Sequence, residues 1–400
     1  MRVLIVTDQY EPMVGGVPTV TRELAQGLAG RGHTVEVLAP SATGRSVTGA
    51  SGGLTVARRR SVRWPWYEDQ RLGLLGRAGA GELIGRFRPD VVHVHSPLTL
   101  GVAARSAARR RRVPVVYTNH YLPANVRPVT DRGKAARTVL DVGFYGYLTA
   151  FANRCDRVTA PTATALLLLR EHGLRAPSQV VSNGVDLDLY TPGAPGAPDE
   201  ALRRRYALPD GVPLVLSVGR LSPEKRADVL IEAVAAQDAT DTVLALAGSG
   251  PDEARLRELA ARLGLAERVR FLGFIPATDL PGLYRLADVF AIASEAELQS
   301  LVTMEAIASG LPVVAVNAGA LGELVHAGEN GLLARPGRPA DVAGSLDLLV
   351  RDPELRARMS KSGLRIIADH DRHRLLARWE SIYRALTTRQ GQAKVSDGQP

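Results

Sequence analysis

The chain has 400 residues, of which 45% are hydrophobic and only 5% aromatic, so its length suits two domains with cores of Val, Leu, Ile and Ala. A single cysteine, Cys155, excludes an internal disulfide and is typical of a reducing cytoplasm. No apolar run approaches the roughly 18–20 residues that a membrane-spanning helix needs. The segment 3–6 reads as a first core strand rather than as part of a signal peptide.

The formal net charge of +9 is concentrated in the N-terminal half, which contains the runs Arg58–Arg60 and Arg109–Arg112 together with Arg63. Such patches can bind phosphates or an anionic membrane surface, but solvated helix ends in an Arg-rich chain explain them equally well. The aromatic segment 64–67 beside the first run suits a membrane interface, a lipid-bearing acceptor or a packed loop. We expect no nucleic-acid partner, because no nucleic-acid-binding motif accompanies the charge.

Short aliphatic runs alternate with amphipathic helical stretches along the chain. The near-continuous Val, Ile and Leu runs indicate strands buried on both faces, so we expect two successive parallel, doubly wound α/β sheets. The predicted strands are 2–7, 34–39, 91–95, 113–117, 157–160, 179–182, 213–218, 242–247, 268–272, 289–293, 312–316 and 331–334. The predicted helices include 17–31, 225–236, 252–263, 301–309 and 339–350.

Segments 43–53 and 191–200 are rich in Gly, Pro, Ala, Ser and Thr, which predicts loops. The second loop separates the two halves of the chain. The apolar residues of the last helical stretch recur at helical spacing, and the residues after it are polar without periodicity, which predicts a disordered tail. The predicted division is a first domain 1–190, a linker 191–210, a second domain 211–371, a helix 372–386 and a tail 387–400.

The most informative pattern is a pair of glutamates, Glu297 and Glu305, around the predicted start of helix 301–309. Ser300 is a plausible N-cap of that helix. A helix start presents unbonded N–H groups that suit a phosphate, and carboxylates on either side can accept hydrogen bonds from sugar hydroxyls. A bare pair of glutamates is more often simply solvated, so the surrounding residues decide between the two interpretations.

Two further loops carry groups that suit an anionic ligand. The segment 219–225 follows a predicted strand and contains Arg220 and Lys225, which can both reach a diphosphate and offset charge on a leaving group. Gly15 and Gly16 follow the first strand and precede a helix, where the backbone can approach a ligand or simply form a tight turn.

The segment from Glu297 through Glu305 to A306-I-A-S-G-L-P-V-V resembles the donor-site motif of the retaining family 4 glycosyltransferases. This resemblance covers residues 1–386 and implies the GT-B fold, in which two Rossmann-like domains face a central cleft and a C-terminal helix crosses back to the first domain. It implies that the N-terminal domain binds the acceptor and the C-terminal domain the nucleotide sugar. Many members have Gly where this chain has Ser300.

The resemblance also implies roles for individual residues. Glu297 contacts the donor sugar near its reacting carbon, and Glu305 binds the ribose. Arg220 and Lys225 stabilise the leaving phosphate, and His120, after strand 113–117, positions the donor sugar or stabilises charge beside it. The other donor-binding positions are Gly15, Gly16, Gly248, Gly250, Phe274, Ile275, Gln299, Ser300, Leu301 and Val302.

Two patterns that could bind metal are interpreted as structural. His93 and His95 alternate on one strand and could ligate a metal, but no third ligand is apparent. The resemblance, whose members commonly carry histidines there, implies that His93 packs and His95 lines the cleft. Asp186 and Asp188 form a D-x-D, which binds a metal in the other major glycosyltransferase fold but here lies in the N-G-V-D turn of the family. We therefore expect no metal and no cofactor besides the substrate nucleotide sugar.

These observations predict a cytoplasmic, metal-independent, retaining hexosyltransferase, either free or bound peripherally to the inner face of the membrane. Its donor would be UDP-glucose or, as the second choice, GDP-mannose, and its acceptor a hydroxyl of a lipid, a sugar or a small natural product. Two other classes stay open, namely a GT-B sugar-nucleotide epimerase and a non-catalytic sugar-nucleotide-binding protein. The first would act without an acceptor, and the second would bind donor without turnover.

Overall fold

The structure, a computed structural model, describes residues 1–51, 54–64, 70–123, 134–193, 200–239 and 241–396. It divides into two compact units, one made of Met1–Asn183 with His373–Pro400 and the other of Gly184–Arg372. The division falls at Asn183 rather than at residue 190, because Val185 is buried in the second unit. The N–H of Val185 donates to the carbonyl of His370 over 2.9 Å, and the N–H of Arg372 donates to the carbonyl of Val185 over 3.0 Å.

The first unit is built on an eight-stranded sheet in the order β10-β9-β8-β7-β1-β2-β4-β3, parallel except for the edge pair β3–β4. Its strands are β1 (Arg2–Val6), β2 (Thr34–Pro40), β3 (Val47–Ser51), β4 (Leu54–Arg59), β7 (Val91–Val94), β8 (Val115–Thr118), β9 (Arg157–Ala160) and β10 (Ser178–Val180), with a separate hairpin of β5 (Ser61–Arg63) and β6 (Arg71–Gly73). Its helices are α1 (Gly16–Gly30), α2 (Arg77–Phe87), α3 (Thr99–Arg110), α4 (Lys134–Ala152), α5 (Ala163–Glu171) and the last helix of the chain, α13 (Arg372–Ser396).

The second unit has a six-stranded, all-parallel sheet in the order β13-β12-β11-β14-β15-β16. Its strands are β11 (Leu214–Val218), β12 (Val243–Ala247), β13 (Val269–Gly273), β14 (Val289–Ile292), β15 (Val313–Val316) and β16 (Gly331–Ala334). Its helices are α6 (Glu200–Arg205), α7 (Ala227–Ala236), α8 (Glu253–Arg262), α9 (Leu280–Leu286), α10 (Leu301–Ala308), α11 (Pro339–Arg351) and α12 (Pro353–Ile367). The strands are buried almost throughout, which explains their continuous apolar sequence.

Three expectations about local structure were wrong. The predicted loop 43–53 contains β3, which pairs antiparallel with β4 at the sheet edge. The predicted linker 191–210 contains the short helix α6. The predicted tail 387–400 is helical as far as Ser396, because α13 continues past residue 386.

The C-terminal helix α13 forms part of the core of the first unit. Its apolar face packs with β1, β2, β4 and α1 in one cluster of buried side chains. Its contributions to that cluster are Leu376, Trp379, Ile382, Tyr383 and Leu386. Within the described residues, no helix is both long enough and apolar enough to span a membrane.

Candidate active site

The donor-site motifs of the second unit lie where its sheet topology favours a ligand. The first strand of that sheet in chain order, β11, lies between β12 and β14, so the strand order reverses there. Open parallel sheets bind ligands beyond the carboxyl ends of the strands at such a switch point. The loop after β11 carries Arg220 and Lys225, and the loop after β14 carries Glu297, so the two loops that the sequence singled out flank the switch point.

Helix α10 begins as the sequence predicts, with Ser300 as its N-cap. The Ser300 hydroxyl accepts hydrogen bonds from the N–H of Thr303 over 3.3 Å and from the hydroxyl of Thr303 over 2.8 Å. This cap leaves the N–H groups of Leu301 and Val302 without an acceptor among the described residues. Ser300 thus forms a specific side-chain cap, and the two neighbouring N–H groups can receive an anion.

A salt bridge joins the two candidate loops. The Lys225 ammonium donates to Oε1 of Glu297 over 2.7 Å, and the Glu297 side chain is only 11% exposed. Charge-assisted pairs of this kind are short and orient both partners. The cation predicted for the leaving phosphate and the carboxylate predicted for the sugar therefore lie side by side within one unit.

The backbone of Glu297 is fixed by a loop that the sequence analysis missed. The N–H of Ala320 donates to the carbonyl of Glu297 over 3.0 Å, and Gly319 has a φ of 55°. A Cβ atom on Gly319 would lie 2.7 Å from that carbonyl oxygen, which is too close for any side chain. The pair Gly319-Ala320 after β15 is visible in the sequence as a turn signal, but its contact with Glu297 becomes apparent only in the fold.

Glu305 is held by another residue that the sequence did not identify. The hydroxyl of Tyr284, on α9, donates to Oε2 of Glu305 over 2.8 Å. Tyr284 is fully buried, and this burial raises its pKa well above the ordinary value, so the hydroxyl stays protonated and keeps donating. A buried donor orients the carboxylate that we expect to bind the ribose.

Gly248 and Gly250 allow the loop after β12 to pack against the loop of Arg220. A Cβ atom on Gly248 would lie 1.9 Å from the carbonyl oxygen of Gly219, and one on Gly250 would lie 2.2 Å from that of Leu221. The N–H of Leu221 also donates to the carbonyl of Ser249 over 3.0 Å. The glycines of this weak G-x-G motif therefore shape the backbone beside Arg220.

The remaining donor-binding candidates differ in exposure. Gln299 and Ile275 are buried, whereas Arg220 is exposed and Phe274 is 63% exposed. An exposed aromatic ring in the loop after β13 is available to contact a planar group. These side chains all belong to the second unit.

The first unit has its own switch point between β1 and β7. Gly15 is the N-cap of α1 and Gly16 its first residue; both are exposed, and within the described part of the chain no side chain caps this helix. Asp8, just after β1, is buried, and Oδ1 accepts from the Thr99 hydroxyl over 3.2 Å. Burial raises the pKa of Asp8 to about 7.

Three histidines form a connected group at the carboxyl ends of β7 and β8. His120 is partly exposed, and its Nε2 lies 2.9 Å from Nδ1 of the buried His95. Burial lowers the pKa of His120 to about 4, so its ring is neutral at pH 7. His93 forms hydrogen bonds through Nδ1 with the hydroxyl of Tyr383, on α13, over 2.7 Å and through Nε2 with the hydroxyl of Thr118 over 2.6 Å. These buried contacts agree with the packing role expected for His93.

Comparison with known proteins decides the family. Residues 14–189 match the family described as Glycosyltransferase Family 4, and residues 198–365 match Glycosyl transferases group 1. The chain belongs to glycosyltransferase family 4. It is therefore an enzyme of the GT-B fold, as the sequence motifs predicted.

Individual relatives agree with this assignment. A D-inositol 3-phosphate glycosyltransferase of Nocardia farcinica is 37% identical over 73% of this chain and 64% of the relative, so the match spans less than two thirds of that protein. A GDP-mannose-dependent alpha-mannosyltransferase of Mycolicibacterium smegmatis is 34% identical over 83% of this chain and 84% of the relative. The structure of Anabaena HepE in complex with UDP and glucose superposes with a TM-score of 0.78, at 23% identity, over 96% of this chain and 100% of HepE, and supports the fold.

In this glycosyltransferase the D-x-D segment has structural contacts. Oδ2 of Asp186 forms an ion pair with Arg372 over 2.7 Å, and Oδ1 accepts from the N–H groups of Asp188 and Leu189. Asp186 thus stabilises the turn that opens the second unit. The aromatic segment 64–67 lies outside the described residues except for Trp64.

Proposed function

We propose that this glycosyltransferase transfers a hexose from a nucleoside diphosphate sugar to an acceptor hydroxyl with retention of configuration. The observation that carries the proposal is the Lys225–Glu297 salt bridge, whose carboxylate belongs to the loop that leads into the N–H groups of Leu301 and Val302 at the start of α10. A cation and helix N–H groups suit a diphosphate, and a carboxylate next to them suits the hydroxyls of the attached sugar. UDP-glucose is the first candidate donor and GDP-mannose the second.

The chemistry requires that negative charge on the departing diphosphate be stabilised. Lys225, Arg220 and the first N–H groups of α10 supply fixed positive charge, which is worth most where it is already oriented. The acceptor oxygen attacks the anomeric carbon on the face from which the diphosphate departs, and the acceptor proton passes to the leaving phosphate oxygen. Because the cations and N–H groups stabilise this charge, we expect turnover to survive complete chelation of divalent metals.

Glu297 and His120 would act on the sugar itself. Glu297, held by Lys225 and by Ala320, accepts hydrogen bonds from sugar hydroxyls and orients the anomeric carbon. His120 is neutral at pH 7 and so serves as a hydrogen-bond partner rather than as a fixed cation. Neither group forms a covalent bond to the sugar in this proposal.

Donor binding can be tested before the acceptor is known. We expect UDP or GDP, and the glucose or mannose conjugate of that nucleotide, to raise the melting temperature of the wild-type protein. Glu305→Gln should require at least about tenfold more nucleotide, which corresponds to losing one hydrogen bond to a charged group. Glu329→Gln, an exposed glutamate changed in the same way, is the control. Equal responses of all three proteins would remove Glu305 from the donor site.

Turnover tests the leaving-group assignment. Arg220→Ala and Lys225→Ala should each lose roughly 10²–10³ in kcat, the usual effect of removing one stabilising donor. Arg358→Ala, which removes a 64% exposed arginine of α12, should behave as wild type. Wild-type turnover in either loop variant would remove that cation from the mechanism. The anomeric configuration of the product, read by proton NMR, tests retention, and an inverted product would overturn it.

The acceptor is proposed only as a hydroxyl of a lipid, a sugar phosphate or a small natural product, at the cytoplasmic side of the membrane. The exposed run Arg109–Arg112 at the end of α3 favours an anionic surface or a phosphate. Flotation with vesicles of phosphatidylglycerol or phosphatidylcholine distinguishes binding to an anionic membrane surface from binding to a soluble phosphate. Binding to anionic vesicles that disappears when the four arginines are changed to Gln supports a membrane, and absence of flotation with either lipid contradicts peripheral association.

A further inference from the structure

His95 has no role in the proposed reaction so far, although it contacts the candidate catalytic histidine. It follows β7 and is 1% exposed, and its N–H donates to the carbonyl of Val6 over 2.8 Å. Its Nδ1 lies 2.9 Å from Nε2 of His120, with ring centroids 5.2 Å apart and ring planes inclined by 11°. The centroid separation equals the N–N distance extended by one ring radius on each side, so the two nitrogens point at each other.

Only one proton can lie between these two nitrogens when both rings are neutral. Burial lowers the pKa of His95 well below its ordinary value and that of His120 to about 4, so both rings are neutral near pH 7. One ring must therefore donate and the other accept. The direction of this hydrogen bond decides which nitrogen of His120 is available to a substrate.

The surroundings of His95 decide the direction. Its other nitrogen, Nε2, is buried and has no hydrogen-bond partner in the described structure. If the proton were on Nε2, a buried N–H would be unpaired, and orphaned buried N–H groups are rarer than under-satisfied acceptors. If the proton is on Nδ1, only a lone pair is unpaired, and Nδ1–H donates to His120. The second tautomer is the one that the burial favours.

We infer that His95 is a positioning residue that donates Nδ1–H to Nε2 of His120 and so fixes His120 in the tautomer with its proton on Nδ1. His120 then presents a neutral N–H donor at Nδ1, which has no acceptor among the described residues. Such a donor can bind a hydroxyl oxygen of the donor sugar, but Nε2 cannot take the acceptor proton without breaking the bond to His95. This inference rests on the proposed role of His120 toward the donor sugar.

A matched pair of variants separates the hydrogen bond from packing. Asn and Leu have nearly the same shape, but only the Asn amide can replace the Nδ1–H donor of His95. We expect His95→Asn to keep kcat within about threefold of wild type. His95→Leu should lose roughly 10–100-fold in kcat with little change in the KM for the donor, as for other partners that orient a catalytic histidine.

The tautomer itself can be read without any activity assay. In the full-length protein labelled with 15N-histidine, the ring-nitrogen shifts report which nitrogen carries the proton, and the His120→Asn variant assigns the signals of His120. We expect wild type and His95→Asn to show His120 protonated on Nδ1, and His95→Leu to show a changed population. A proton on Nε2 of His120 in the wild type would overturn the inference, even if His95→Leu fails to fold. A correct tautomer combined with wild-type turnover in His95→Leu would instead overturn the proposed role of His120.

Discussion

The backbone of Glu297 depends on Gly319, which lies in a different loop. Gly319 combines a φ of 55° with a close approach to the Glu297 carbonyl, so a side chain there meets both backbone strain and a steric contact. Gly328 has a φ of 82°, but a Cβ atom added there would have no heavy atom within 4 Å, so it shares the strain without the contact. The two glycines offer a controlled comparison.

We predict that Gly319→Ala reduces turnover at least about tenfold, because the displaced Glu297 loop no longer orients the sugar. Gly328→Ala should lose only about 1–2 kcal/mol of stability, the cost of a non-glycine residue in this backbone conformation, without loss of turnover. Melting temperature and kcat of both variants are the measurements. If the two variants lost turnover equally, the contact with Glu297 would have no functional weight.

Asp8 makes the stability of the first unit depend on pH. Its folded pKa of about 7 is above the ordinary value of 3.8, so the folded protein keeps a proton that the unfolded chain has already released. The protonated Asp8 side chain therefore favours the folded state at low pH, and this advantage is lost as the pH rises toward 7. From pH 5 to pH 8 the folded state should lose about 2–3 kcal/mol through this group.

We predict that Asp8→Asn removes this part of the pH dependence, because the amide keeps the shape of the carboxyl group without ionising. Melting curves of the wild type should move to lower temperature between pH 5 and pH 8 more than those of the variant. Asp241→Asn, at an exposed position of the second unit, should retain the wild-type slope. A variant as pH-sensitive as the wild type would show that Asp8 is ionised in the folded protein.

Among the secondary-structure elements, α13 is attached to the first unit by polar as well as apolar contacts. The Glu380 carboxylate, whose side chain is 9% exposed, accepts from Arg31 over 2.9 Å and from Nε2 of His33 over 2.9 Å. These hydrogen bonds, that of Arg31 first, lower the pKa of Glu380 to about 2. The contribution of the ionised Glu380 to the free energy of unfolding is therefore complete above the ordinary glutamate pKa, and it is lost only as the pH falls toward 2.

We predict that Glu380→Gln lowers the free energy of unfolding of the first unit by about 1–2 kcal/mol at pH 7, because a charged acceptor is lost and Arg31 is partly exposed. The difference from wild type should shrink as the pH approaches 2. Glu354→Gln, on the 92% exposed Glu354 of α12, is the matched control and should be neutral. Chemical denaturation at several pH values tests this, and a neutral Glu380→Gln would contradict it.

The elements themselves were largely predictable, for a physical reason. Strands such as β1 and β15 are buried on both faces and so read as continuous aliphatic runs, and all twelve predicted strands were confirmed. The strands β3, β4, β5 and β6 were missed, and β3, for example, is the partly polar edge strand V47-T-G-A-S with no such run. The partners Tyr284 and Gly319 could not be predicted, since only the three-dimensional fold brings α9 and the loop after β15 to the glutamates.

At the scale of the whole molecule, the two units differ in how the chain builds them. The second unit is one continuous segment with its own sheet and a core that runs from Val185 to Ile367. The first unit is discontinuous, because α13 returns to complete its core. Removing α13 would expose the apolar faces of α1 and the sheet, whereas removing the whole first unit leaves the core cluster of the second intact.

We therefore predict that the fragment 184–372 folds alone with a cooperative melt and binds the preferred nucleotide within about tenfold of the full chain, because the candidate donor groups other than Gly15, Gly16 and His120 lie inside it. The fragment 1–183 should fail to melt cooperatively, since it lacks the five buried side chains of α13. Joining residues 373–396 to 1–183 through a flexible linker should restore folding, which separates loss of the helix from loss of the second unit.

Circular dichroism and thermal melts measure the folding of the three fragments. Cooperative folding of 1–183 alone would show that α13 is dispensable, and a folded 184–372 without nucleotide affinity would show that donor binding needs groups from the first unit.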